Sequence, residues 1–178
     1  TSGDVDLNSL GSPIGYRVIG GEAGGSSGRS VSSAGDINKD GIGDIIIGAY
    51  NVALSAGITY VIFGRSASAG STAFDDIQLP TAASMDANVG FRILGGGAPD
   101  HSGFSVSAAG DVNKDGVADI VIGAYYASHY MLAADNHAGM VYVIFGRDIP
   151  NGATPFSDIQ LTTTSTVMAS NVGFRILG

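Results

Sequence analysis

The sequence predicts an all-β chain of small antiparallel sheets in tandem, and three observations carry that prediction. Glycine is in excess, 28 of 178 residues against five prolines and with no Gly-X-Y period. That composition means many tight turns and close backbone approaches, not collagen. The apolar runs are short, β-branched and bounded by glycine, as in "IIIGA" (45–49) and "IVIGA" (120–124), the pattern of strands buried on both faces. Finally, the chain repeats itself. No segment sustains a 3.6-residue apolar period with caps, so no long helix is expected. "TAASMDANV" (81–89) is read as a short turn of helix at most.

The elements come in a fixed order. "GYRVIGG" at Gly15 returns as "GFRILGG" at Gly90 and as "GFRILG" at Gly173. "SGRSVSSAGD" from Ser27 matches "SGFSVSAAGD" from Ser102, and "GITYVIFGR" from Gly57 matches "GMVYVIFGR" from Gly139. "FDDIQL" from Phe74 matches "FSDIQL" from Phe156. The second unit is longer, mostly through "SHYMLAADNHA" (128–138), which reads as an expanded surface loop. The SVS, IIIGA, YVIFG and G-F/Y-R-I/V-L/I-G segments give four strands per unit. A four-stranded antiparallel sheet in tandem is the blade of a β-propeller.

About two blades are present, too few to close a ring of four to eight, so an incomplete propeller or open array is expected. The outer-strand segment occurs three times and the others twice, leaving one copy spare. Residues 1–20 are therefore assigned to the end of a preceding repeat. A first repeat spans 21–95 and a second 96–178, as in a unit cut from a longer array.

Composition removes several functions. The net charge is −8 and the eight basic residues are scattered singly, which excludes nucleic acid as a partner. The absence of cysteine removes disulfides, thiolate metal sites and cysteine nucleophiles. No run of about 18 apolar residues exists to span a membrane. The opening "TSGDVDLNSL" lacks the basic start and apolar stretch of a signal peptide.

The chemistry is concentrated in two nine-residue loops. Asp36, Asp40, Asp44, Asp111, Asp115 and Asp119 are six of only sixteen acids. In "DINKDGIGD" (36–44), Asp36, Asn38 and Asp40 occupy positions 1, 3 and 5, and Asp44 position 9. In "DVNKDGVAD" (111–119) the same places hold Asp111, Asn113, Asp115 and Asp119. Alternate side chains of a curled loop point inward together, and Gly41 and Gly116 at position 6 permit the bend. The backbone carbonyls of Ile42 and Val117, at position 7, can turn inward as well. A ring of hard oxygens suits Ca²⁺, with roughly six to eight oxygen ligands. Zinc and copper lack their usual His or Cys. Mg²⁺ is the remaining competitor, although it prefers fewer protein ligands and more waters. The EF-hand is rejected, because the ligand series closes at position 9 and runs into a buried strand with no Glu at position 12. An acidic turn that binds nothing is the competing reading. Two copies in one frame weigh against it, as does the repulsion among three crowded carboxylates. Lys39 and Lys114, at position 4, are expected to face solvent.

The series S-G-x-S-V, G-D-x-N-x-D-G-x-x-D, I-x-I-G-A and V-Y-V-I-F-G resembles the FG-GAP repeat of integrin α-subunit propellers and bacterial surface proteins. The likeness covers nearly the whole chain. It implies propeller blades with Ca²⁺ in the loop between the first two strands, ten ligands at the positions just named, and a role in adhesion or extracellular binding. Two departures stand out: "FG" is Ser27-Gly28 and Ser102-Gly103, and "GAP" is "GAY" at 48–50 and 123–125. The lost proline weakens the analogy to integrin ligand-binding loops, and a bacterial-type surface repeat fits better.

Other motifs read as structural. "GGSSG" (24–28) matches the nucleophile elbow G-x-S-x-G but lacks the strand before and helix after the serine, and His101 stands where Ser26 does in the other repeat. His101, His129 and His137 lack metal-ligand spacing. Tyr125, Tyr126 and Tyr130 are read as packing against a neighbouring blade ahead of a recognition patch. Arg17, Arg92 and Arg175 recur in phase, with an exposed structural role and a pairing to acids of the adjacent sheet. Thr162–Thr166 is a weak candidate for O-glycosylation.

These readings combine into a non-enzymatic, calcium-binding structural module of a secreted or cell-surface protein. Its expected partners are further repeats of the parent chain or other copies, joined head to tail, with strand complementation as one means. Such contacts give a closed ring or an open filament. The alternative is an adhesion module whose loops bind an extracellular protein or glycan. A hydrolase fits poorly, since no acid–base constellation occurs in both repeats.

Overall fold

The computed structural model describes residues 15–66, 75–128, 137–150, 156–162 and 168–177. Within them lie eleven strands and no helix. They are β1 (Val18–Ile19), β2 (Ser30–Gly35), β3 (Asp44–Ala49), β4 (Ile58–Ile62), β5 (Ile77–Gln78), β6 (Gly90–Leu94), β7 (Ser102–Gly110), β8 (Asp119–Ala124), β9 (Met140–Ile144), β10 (Ile159–Gln160) and β11 (Gly173–Leu177). Residues 81–89 form bends and a turn, with the Asp86 carboxylate accepting the Asn88 N–H at 2.9 Å.

The first blade runs β2-β3-β4-β6 and the second β7-β8-β9-β11, antiparallel throughout. In the first, Ile46 pairs with Val61 and Val61 with Phe91. Period-two alternation then gives each strand two apolar faces. Ile46, Val61, Phe91 and Ile93 meet Ile120, Ile122, Tyr142 and Ile144 of the second blade in a core between the blades. Ile47, Ala49, Tyr60 and Ile62 enter a second core under Ile77 and Leu79.

The blades lie close because glycine lets them. A Cβ built on Gly48 would stand 1.9 Å from the Gly103 carbonyl oxygen, so any side chain there would drive the sheets apart.

Four strands per unit was the expectation, and the structure adds a short parallel one. β10, from the "FSDIQL" segment of the second repeat, pairs with the outer strand β6 of the first, Ile159 with Ile93 and Gln160 with Leu94. In the same way β5 pairs with β1, Val18 with Ile77 and Ile19 with Gln78. The D-I-Q-L segment thus covers its own blade and stitches it to the outer strand before it.

The recurring arginines fasten the stitch. The Arg92 backbone N–H and Nε donate to Asp158 Oδ1 at 3.2 and 3.3 Å, Nη2 reaches Oδ2 at 2.6 Å, and Nη1 donates to the Thr81 carbonyl at 2.9 Å. Arg17 grips Asp76 through the same three groups. The expected pairing with neighbouring acids is found, but Arg92 is buried, not exposed. Asp158 and the Thr81 carbonyl close over it, a cover no single-strand pattern announces.

Candidate metal centre

Each acidic loop leaves one blade's first strand and returns as the second, from Gly35 to Asp44 and from Gly110 to Asp119. Left-handed dihedrals set the curl, at Lys39 (φ 59°) and Gly41 (φ 87°), and again at Lys114 (φ 62°) and Gly116 (φ 83°). The glycines were expected; the left-handed lysines, a conformation uncommon outside glycine, were not.

Backbone N–H groups then gather the oxygens. Asp40 N donates to Asp36 Oδ1 (3.0 Å) and Asn38 Oδ1 (3.2 Å), Gly41 N to Asp36 Oδ2 (2.9 Å), and Ile42 N to Asp40 Oδ1 (2.8 Å). The second loop repeats this bond for bond. Asp115 N donates to Asp111 Oδ1 (3.1 Å) and Asn113 Oδ1 (3.0 Å), Gly116 N to Asp111 Oδ2 (3.0 Å), and Val117 N to Asp115 Oδ1 (2.9 Å).

The position-9 aspartates are buried and tie the loop to the sheet. Asp44 accepts from Ile37 N (2.9 Å) and Gly64 N (2.7 Å), and Asp119 from Val112 N (2.7 Å) and Gly146 N (2.9 Å). Burial pushes the Asp44 carboxyl up to about 6, against the pull of the Gly64 and Ile37 N–H groups, with the charges of Asp40 and Asp36 adding to the rise.

Among the described residues, no three acidic or histidine side chains stand ready to hold a metal by themselves. A metal held here would also have to draw on the Asn38 or Asn113 amide oxygen and the Ile42 or Val117 carbonyl. All of these donors are hard oxygens, so the residues present fit Ca²⁺. Lys39 is exposed, as expected, and lies 3.4 Å from Asp148, a surface pair of little energetic weight.

The two loops differ in what surrounds them. The second blade holds the backbone of the first loop. Ala118 N donates to the Asp36 carbonyl (3.4 Å), Arg147 N to the Ile37 carbonyl (3.0 Å), and Ile149 N to the Asn38 carbonyl (3.2 Å).

A model of the FG-GAP repeat matches residues 27–62 and 102–144. The chain carries two FG-GAP repeats. Each matched segment holds one Ser-Gly corner, one acidic loop and the blade's first three strands. The FG-GAP chain is 32% identical over 109 residues to Integrin alpha pat-2 of Caenorhabditis briggsae, a match covering 61% of the chain and 8% of that protein. It is 30% identical over 155 residues to phosphatidylinositol-glycan-specific phospholipase D of Homo sapiens, covering 82% of the chain and 17% of that protein. The chain therefore spans a small part of either relative's length. No helix among the described residues is long and apolar enough to cross a membrane.

The remaining candidates fall outside the loops. Ser26 sits in a Gly/Ser turn with its hydroxyl 3.4 Å from the Gly24 carbonyl, without the strand–helix setting a nucleophile elbow requires. His101, Tyr125 and Tyr126 meet in a ring cluster with Tyr50 and Phe104. His101 stacks on Tyr125 at 5.3 Å, and Tyr50 lies 5.5 Å from His101 and 5.2 Å from Phe104. His137 stacks on Tyr126 at 3.5 Å. His129, Tyr130 and residues 163–166 lie outside the described residues.

The sequence reading missed the parallel pairing of the D-I-Q-L segments and the Gly48–Gly103 approach. The in-phase recurrence of both "DIQL" and the arginine was the available signal.

Proposed function

We propose that this chain is a non-enzymatic, calcium-stabilised structural module of a secreted or cell-surface protein, built to assemble with further repeats. The observation that supports this reading is the identical acceptor network in both loops. The same Asp and Asn oxygens are gathered by the same backbone N–H groups in each loop. Calcium would neutralise the crowded carboxylates and fix how the second strand joins the sheet, and the position-9 aspartate would transmit that order to the third strand through Gly64 or Gly146. Extracellular calcium is abundant enough for a site with Kd of roughly 10⁻⁴ M.

Thermal melting with and without calcium tests this. At a hundredfold excess over Kd, each site contributes about 2.7 kcal/mol. Asp40→Asn and Asp115→Asn keep the side-chain shape and remove a charge. Each should abolish roughly half of the calcium-dependent rise in Tm while leaving the melt in chelator nearly unchanged. A wild-type Tm indifferent to calcium refutes the reading.

The ring cluster supports a second reading, an adhesion module. Tyr125 is half exposed and backed by His101 and Phe104, a rigid aromatic platform of the kind that stacks on a ligand face. A glycan and matrix-protein binding screen, repeated with Tyr125→Ala, tests it. Binding that survives the substitution, or no binding at all, removes this reading.

A further inference from the structure

The two acidic loops are joined by a strap of backbone. Residues 146–149 follow β9 and are bonded to both loops. At the start of the strap, Gly146 N donates at 2.9 Å to Asp119 Oδ1, the position-9 carboxylate of the second loop. The next residues turn to the first loop, at its positions 2 and 3. Arg147 N donates to the Ile37 carbonyl at 3.0 Å and Ile149 N to the Asn38 carbonyl at 3.2 Å. Lys39, at position 4, lies 3.4 Å from Asp148 of the strap.

Only glycine fits where the strap passes. A Cβ built on Gly146 would stand 2.2 Å from the Ala118 carbonyl oxygen, 2.7 Å from Val117 Cγ1 and 2.9 Å from the Ile37 carbonyl oxygen. Atoms of both loops therefore crowd this one position. The loops also approach each other directly. Ala118 N, at position 8 of the second, faces the carbonyl of Asp36, at position 1 of the first, at 3.4 Å. All of these contacts lie at the junction inside the chain and need no further repeat to complete them.

We infer that the two loops bind calcium cooperatively, with residues 146–149 as the strap that couples them. The inference rests on the calcium reading of both loops and adds how one regulates the other. Ordering the second loop fixes Asp119, and Asp119 fixes Gly146. The strap then holds the backbone from which the Asn38 side chain projects, while Ala118 N steadies that of Asp36. Ordering the first loop acts back along the same bonds, because coupling between two binding sites is reciprocal. Whichever loop fills first bears part of the ordering cost of the other, so the second ion meets a loop already partly fixed.

Calcium titration followed by NMR at the Gly41 and Gly116 amides reads each loop by itself. In the wild type, the Gly116 transition should be steeper than a single site gives. Asp40→Asn, which disables the first loop, should move the Gly116 midpoint to roughly fivefold higher calcium or more. The shift should persist in 1 M NaCl, where a Debye length of about 3 Å removes the long-range effect of the lost charge. Gly146→Ala wedges the strap away from both loops, and in that background Asp40→Asn should no longer move the midpoint. A Gly116 midpoint indifferent to Asp40→Asn overturns the inference and leaves the calcium reading standing. So does a shift that survives Gly146→Ala, or one that vanishes in 1 M NaCl. Amides that ignore calcium in both loops remove the inference and the calcium reading together.

Discussion

Asp158 reaches from one blade to the last strand of the blade before it, and it meets a guanidinium that has almost no access to water. Burial alone would raise its pKa, but hydrogen bonds from Arg92 and Ser84 more than offset this and hold the carboxyl below the usual carboxylate range. A depressed folded-state pKa contributes stability that is complete above the unfolded value, near ~3.9. That contribution is lost as pH falls through the lower folded value. Asp158→Asn should therefore cost about 2 kcal/mol at neutral pH, because Arg92 is left buried without its counter-charge. The deficit should shrink toward pH 3. Urea unfolding at the two pH values measures this, and a deficit independent of pH would show that the pair is not acting through charge. The arginine and the aspartate were each legible as recurring letters. A pairing with some neighbouring acid was expected, but which acid was not legible, because the partners lie 66 residues apart and a two-residue strand has no period from which to infer a neighbour.

The curl of the acidic loop is what the sequence revealed most fully, since its aspartates, asparagine and glycine sit at fixed spacing within nine residues and need no distant partner to line up. The asymmetry between its two copies was hidden, because it depends on what packs beside them. Three carbonyls of the first loop are held by N–H groups of the second blade, while Val112, the second loop's counterpart of buried Ile37, is exposed. If the loops bind calcium as proposed, the extra bonds on its backbone would leave the first loop with less freedom to lose on binding than the second. Calorimetric titration of Asp115→Asn, which retains the first loop, should give a Kd roughly tenfold lower than that of Asp40→Asn, which retains the second. Equal constants would mean that the neighbouring blade does nothing for the ion.

Across the whole molecule, the antiparallel blades followed from glycine-bounded β-branched runs and from the repeat itself. What the runs could not say is which of their two apolar faces meets the next blade. The core between the blades rests on Gly48 and Gly103 approaching closely and on Phe156 stacking against Phe91 at 4.2 Å. Both are contacts between repeats, invisible while each repeat is read alone. The spare outer strand was noticed in the sequence as a surplus. In the structure β1 serves as the edge onto which the first D-I-Q-L segment is sewn.

The parallel pairing of β10 with β6 also bears on how such a chain is made. The outer edge of the first blade cannot be finished until Asp158 and the strand after it have been synthesised, 66 residues beyond Arg92. At roughly 5–20 residues per second, that is a wait on the order of 3–13 seconds. A nascent array of these repeats would mature one step behind the ribosome, each blade sealed by the tail of its successor and only the newest left open to the cell.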